Sequence, residues 1–149
     1  MKLTFIPYSL DFIHPFGLSY GTRTKTDVVF TKLECDGFTG YGEASLPPYL
    51  GESHDSVTKF YKKAKDVLMN FNLDSGHEEI LKAIDSIDTN NNAAKAGIDI
   101  ALCDLLSKAQ SKTVYEYFNL PKPAAKSTSV TISIGDLNLI SQKLDEFSG

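Results

Sequence analysis

The segment DVVFTKLECDGFTGYGEA, residues 27–44, decides the fold. Asp27 to Cys35 is dense in residues that fit a pleated, half-buried surface: Val28, Val29, Phe30, Thr31 and Leu33. Asp36-Gly37 follows at once, and this pair between β-rich runs signals a two-residue hairpin turn. Phe38 to Ala44 is then the returning strand. Upstream, Lys2 to Asp11 reads as a first strand. Leu3 and Phe5 share one face, the pattern slips near Pro7, and Tyr8, Leu10 and Phe12 resume the alternation. Phe16 to Arg23, between the first two strands, carries glycines and hydroxyls that predict a mobile loop.

Helical spacing takes over after residue 50. Val57, Phe60, Tyr61, Ala64, Val67 and Leu68 repeat on one face behind a cap at Ser53. Ser75 and Glu78 form a capping-box pattern ahead of Ile80, Ile84 and Ile87. Asn92 to Ala109 is mostly Ala, Ile and Leu, which predicts a helix buried on most sides. Val114 to Phe118 reads as a short helix stopped by Pro121 and Pro123. The stretch from Pro121 to Lys126 is the linker candidate. Beyond it, Thr128 to Ile134 alternates hydroxyl and apolar residues as a strand would. Asp136 is placed to cap a helix carrying Leu137, Ile140, Leu144 and Phe147 on one face. A single βα unit after a complete α+β layer either docks on the existing sheet or opens a new series. The second is the expectation.

Composition narrows the class. The chain has 149 residues, 42% hydrophobic and 23% charged, with a formal net charge of −4. A chain this long buries roughly 68–70% of its unfolded surface, so it needs no disulfide or structural metal to fold. The acidic balance and the lack of a basic patch exclude a general nucleic-acid binder. No run approaches the ~20 apolar residues of a membrane span, and Pro7 and Asp11 interrupt the first apolar run, so neither a membrane protein nor a signal peptide is expected. Cys35 and Cys103 show no metal-ligand spacing and no companion histidine cluster, and read as two buried, reduced thiols. A cytoplasmic location is expected.

Several motifs, taken as a set, carry a family resemblance. Gly40-Tyr41-Gly42-Glu43-Ala44, then Pro47 and Gly51-Glu52-Ser53, resembles the third-strand and loop motif of the muconate-lactonizing branch of the enolase superfamily. Ala96, Asp99, Ala101-Leu102, Asp104-Leu105 and Lys108 resemble that branch's buried capping-domain helix. Thr131-Ile132-Ser133-Ile134-Gly135 is similar to its first barrel strand. The loop from Pro15-Phe16 to Gly21-Thr22-Arg23-Thr24 is similar to that of the L-Ala-D/L-Glu-type dipeptide epimerases. Tyr49-Leu50 stands where those enzymes often show Arg-Tyr, and Cys103 where the buried helix often carries Trp.

The resemblance implies an α+β fold. Residues 1–124 would form an enolase-type N-terminal capping domain, a three-stranded antiparallel sheet followed by helices. Residues 125–149 would be the first strand–helix unit of an incomplete TIM-like barrel, which needs roughly 200 further residues to close. The implied activity is that of an isomerase, a dipeptide epimerase that exchanges the proton on the carbon beside a carboxylate. Mg2+ stabilises the enolate while two bases act on opposite faces. The resemblance places those bases and the metal ligands on later barrel strands. No catalytic or metal-ligating residue is therefore expected in this chain, which by itself should be inactive. Expected partners are a small dipeptide and the rest of the barrel, and a homo-oligomer is compatible. Two alternatives remain open. One is another reaction of the branch, such as o-succinylbenzoate synthesis, N-acylamino-acid racemisation or cycloisomerisation. The other is a stand-alone binding module that kept only the capping fold.

Three residues are substrate-binding candidates. In the epimerases an arginine at the place of Arg23 pairs with a substrate carboxylate, and a guanidinium suits that task because it is a planar, permanently charged fork. Thr131 and Ser133 share a strand face that the resemblance turns toward the barrel interior. Other polar residues read as structural. Glu43 would tie loop backbone together. Asp99 and Asp104, five apart, point ~140° from each other on a helix and cannot share a metal, so they would serve neighbouring helix ends. His54 and His77 lie at helix starts, as solvated residues commonly do, and His14 precedes Pro15 in the loop.

Overall fold

The computed structural model describes residues 1–18, 21–124, 127, 129, 131, 132 and 137–147; the side chains of Leu18, Leu139 and Phe147 also lie outside the description. Strands β1 (Lys2–Leu18), β2 (Gly21–Cys35) and β3 (Phe38–Leu46) form one sheet in the order β1-β2-β3. A 3-10 turn (Pro48–Leu50) leads to helices α1 (His54–Leu68), α2 (His77–Asp85), α3 (Asn92–Ala109), α4 (Val114–Tyr117) and α5 (Leu137–Phe147). The chain divides into two compact units, Met1–Ser9 with Asp27–Pro123, and Leu10–Thr26 with Ala124–Gly149. No helix among the described residues is long and apolar enough to cross a membrane.

In the first unit, β2 and β3 are antiparallel, and Cys35 pairs with Phe38 across Asp36-Gly37. Both turn residues have positive φ, 48° and 84°, as the hairpin signal required. Val29, Thr31, Leu33 and Ala44 face the helices and are buried. The other sheet face leaves Ile6, Tyr8, Phe30 and Tyr41 exposed. Against the inner face pack Val57, Phe60, Tyr61, Ala64 and Leu68 of α1 and Ile80 and Ile84 of α2. Each large apolar side chain buried this fully stabilises the fold by about 1.5–3 kcal/mol. A buried polar pair at the centre is satisfied internally, Thr31 Oγ1 and Tyr61 Oη lying 2.6 Å apart. Burial pushes the Tyr61 hydroxyl well above the usual phenol range, so it stays neutral.

Helix α3 spans Asn92–Ala109, the range its composition predicts, and is the helix most intimately joined to β3. Glycine permits that approach. A Cβ on Gly40 would strike the Ala101 carbonyl and the Leu105 backbone nitrogen. One on Gly42 would strike the Gly97 carbonyl and the Ala101 nitrogen, and one on Gly97 would strike the Tyr61 hydroxyl. None of the three has a positive φ: Gly40 and Gly42 let backbone pack on backbone, and Gly97 makes room for the Tyr61 hydroxyl.

The cap at Ser53 forms as expected, a capping box closed with Ser56. The box expected at Ser75 and Glu78 does not form. Helix α2 begins one residue later, its N-cap is Gly76, and the Ser75 hydroxyl instead accepts from the Asn72 backbone nitrogen at 3.1 Å. Thr113 and Glu116 make the box that starts α4. The loop expected at Phe16 to Arg23 is largely strand, because β1 runs to Leu18 and β2 starts at Gly21. Thr22, read as a loop hydroxyl, is like Thr24 and Thr26 after it a good strand former. Of the strand expected over 128–134, Ser129, Thr131 and Ile132 have no regular structure, and the remaining positions lie outside the described residues.

Gly42→Ala should destabilise the first unit by about 1–3 kcal/mol or more, the usual range for overpacking, here against rigid backbone. Urea unfolding measures it. Adding Ala101→Gly should not restore stability, because the atoms that a Cβ at residue 42 strikes include the Gly97 carbonyl and the Ala101 nitrogen.

Candidate functional site

The three substrate-binding candidates are not equally visible. Ser133 lies outside the described residues. Thr131 is exposed and sits in no regular element. Arg23 is half-buried on β2, within the second unit. Its Nη2 donates to Thr26 Oγ1 at 2.9 Å, and its Cζ lies 5.6 Å from the centroid of the Phe12 ring. A guanidinium has five N–H donors, and Thr26 takes one of them. The aromatic face attracts the cation without consuming a donor. The arrangement orients the fork and leaves it able to take a carboxylate.

Phe12 and Thr26 also line an open, mainly apolar cleft of about 470 Å3, together with Leu10, Asp11, Ile13, His14 and Phe16. Consecutive residues of β1 line it: Leu10, Phe12, His14 and Phe16 are half-buried, while Asp11 and Ile13 are exposed. His14 Nε2 lies 3.2 Å from Glu146 Oε2 of α5, in the same unit. A cleft of this kind, with a held cation beside it, fits a small ligand that joins an apolar part to a carboxylate.

Residues read as structural have mostly structural partners, some of them unexpected. Asp104 Oδ2 accepts from the Tyr41 backbone nitrogen at 2.9 Å and from Lys108 Nζ at 2.6 Å, so it serves the sheet rather than a helix end. The carboxylate that ties backbone together is Glu52, whose Oε1 accepts from Ala93 N at the start of α3 at 2.9 Å. Glu43 is half-buried and registers opposite Phe30. His54 Nε2 sits between the Tyr8 and Val28 carbonyls at 3.2 and 3.0 Å, which makes it a strand clamp. His77 approaches Asp99 and Cys103, a grouping that inspection of the sequence missed.

The mandelate racemase / muconate lactonizing enzyme N-terminal domain matches residues 4–118. The chain belongs to this family. An L-Ala-D/L-Glu epimerase of Bacteroides thetaiotaomicron is 42% identical over 149 residues, covering all of this chain and 38% of that protein. An enolase family member from Agrobacterium tumefaciens with homology to dipeptide epimerases, bound to sodium and L-Ala-L-Glu, superposes with a TM-score of 0.78. It is 30% identical, over 97% of this chain and 42% of that one. A dipeptide epimerase from Enterococcus faecalis, complexed with Mg and L-Leu-L-Tyr, gives a TM-score of 0.83 at 24% identity, over 97% and 41% of the two chains. The chain therefore spans about two fifths of the length of these relatives. The sheet followed by helices is the capping fold that the sequence predicts for this family.

Family membership raises the question of Mg2+. That ion takes oxygen ligands in near-octahedral geometry. Among the described residues, the single group of three side chains able to hold a metal is His77, Asp99 and Cys103, which offers one nitrogen, one oxygen and one sulfur. The described residues do not fit Mg2+, and no step of a magnesium-dependent reaction is assigned to them.

Replacing Phe12 with Leu should release Arg23 while preserving the fold. Side-chain NMR of the guanidinium is expected to show faster rotation and lower order, with thermal stability changed by no more than about 0.5 kcal/mol. Unaltered Arg23 dynamics in the Phe12→Leu chain would mean that the ring does not hold the cation.

Proposed function

We propose that this chain is the capping part of a magnesium-dependent dipeptide epimerase, an isomerase that inverts the carbon beside a carboxylate. Residues 1–124 are its capping domain, and residues 125–149 open its barrel domain. The observation that carries the reading is Arg23, held by Thr26 and Phe12 beside an apolar cleft. The whole-chain identity to an L-Ala-D/L-Glu epimerase and the fold shared with dipeptide-bound relatives support it. Arg23 pairs with a carboxylate of the bound dipeptide, and the cleft takes an apolar part of it. Thr131 and Ser133 contribute further substrate contacts. The Mg2+ ligands and the proton-transferring bases belong to the barrel, in keeping with the Mg2+ bound by the Enterococcus faecalis relative.

The decisive measurement uses the full-length enzyme, with exchange of the substrate α-proton for solvent deuterium as the assay. Arg23→Ala should lower kcat/KM for acidic dipeptides by roughly 10- to 100-fold. A charge-assisted hydrogen bond contributes about 1.5–3 kcal/mol, and each 1.36 kcal/mol is tenfold in rate. Arg23→Lys should recover only part of the loss, because it keeps the charge and loses the fork. Unchanged kinetics on every dipeptide would remove Arg23 from the site. An absence of exchange on all dipeptides by the unsubstituted enzyme would overturn the reaction itself.

A further inference from the structure

Helices α2 and α3 meet at a cluster that no part of the proposed reaction uses. His77 is the first residue of α2, while Asp99 and Cys103 lie four apart on α3. Residues i and i+4 share one helix face, so Asp99 and Cys103 present their side chains together. His77 Nε2 lies 2.8 Å from Asp99 Oδ1, and Cys103 Sγ lies 3.5 Å from each of those two atoms. Three potential ligand atoms of three kinds thus converge on one point from two helices.

We propose that His77, Asp99 and Cys103 bind one zinc ion, which fastens the start of α2 to the middle of α3. Imidazole nitrogen, carboxylate oxygen and thiolate sulfur make a mixed donor set that suits a borderline-soft ion and does not suit Mg2+ or Ca2+. Ligands held 2.0–2.3 Å from a tetrahedral zinc stand about 3.3–3.6 Å from one another. The two contacts of the Cys103 sulfur already have that spacing. The His77–Asp99 pair, now joined by a hydrogen bond, must open by about half an ångström to accept the ion. Three protein ligands leave a fourth position, and the 44% exposure of the Asp99 side chain opens it to water.

The surroundings favour a defined site. Only 16% of the His77 side chain is exposed. The Tyr117 and Phe118 rings stand edge-on to His77, their centroids 6.4 and 5.7 Å from its own, and limit how the imidazole can turn. Without metal, burial first and the Asp99 carboxylate second push the Cys103 thiol up to about 12, so it holds its proton. Zinc binding must displace that proton: the S–H bond breaks, the sulfur pair goes to zinc, and the proton passes to solvent.

The test uses the 149-residue chain carrying Cys35→Ser, which removes the other thiol. Co2+ serves as the spectroscopic probe and Zn2+ as the competitor. A near-ultraviolet thiolate-to-cobalt charge-transfer band is expected, abolished by one equivalent of Zn2+ and insensitive to Mg2+. The zinc-bound chain should melt at higher temperature than the free one. His77→Gln and Asp99→Asn, close to isosteric, should each weaken zinc binding by at least about 10-fold. Absence of the band in the folded Cys35→Ser chain would overturn the proposal. So would zinc binding of undiminished strength in both substituted chains, with circular dichroism reporting the native fold.

Discussion

Backbone-on-backbone contact between α3 and β3 is the constraint on which the rest of the first unit depends. Ordinary helix-on-sheet packing keeps side chains between the two layers. Here Gly40 and Gly42 on the strand and Gly97 on the helix remove that spacer, and the carbonyls of Gly97 and Ala101 come down on the sheet. So short an approach places Asp104 within reach of the Tyr41 backbone nitrogen and Lys108 within reach of the Thr39 carbonyl. It also draws Tyr61 of α1 toward Thr31 of β2, because the Tyr61 hydroxyl lies over the Cα of Gly97. The buried hydroxyl pair follows from the glycines, since a bulkier residue at 97 would occupy its place.

This constraint explains why some of the architecture was legible in the sequence. Asp36-Gly37 dictates a hairpin locally, and its two positive φ angles are observed. The bounds of α3 are legible because alanine, isoleucine and leucine dominate its length and its flanks are polar, although only one side of it is fully buried and Ile100 is exposed. The Gly-x-Gly of residues 40–42 is visible as a motif but not as a cause. A sequence shows that a Cβ is absent, and only the packed layers show what it would have met.

Where the reading of the sequence departed from the structure, a competing local interaction had won. Ser75 has the right spacing to Glu78 for a cap, yet Asn72 lies close enough to engage the same hydroxyl, and the helix starts later. The glycines and hydroxyls between Phe16 and Arg23 read as loop chemistry, while strand pairing needs only extended backbone, to which threonine is well suited. Asp104 is the conspicuous acidic neighbour of Asp99 in the sequence, although the partner that matters, Cys103, is four residues away on the same face. Spacing alone would have paired Asp99 with Cys103. Nothing in the spacing could have brought in His77, which is separated from them by 22 residues or more.

The candidate site rests on a different principle from the core. Arg23 is positioned by one hydroxyl and one aromatic face, contacts worth little individually and easily exchanged for a ligand's carboxylate. Rigid packing would be a disadvantage at such a place. A guanidinium locked into a buried ion pair has no donors to give and would charge a large desolvation penalty to any newcomer. A half-buried guanidinium on a strand, with Phe12 beneath it and Thr26 beside it, is oriented in advance yet still available. The division of labour is therefore physical: in the first unit, glycine-mediated contact fixes sheet and helices in one arrangement, and in the second, Arg23 is a cation whose restraints are weak enough for binding to replace.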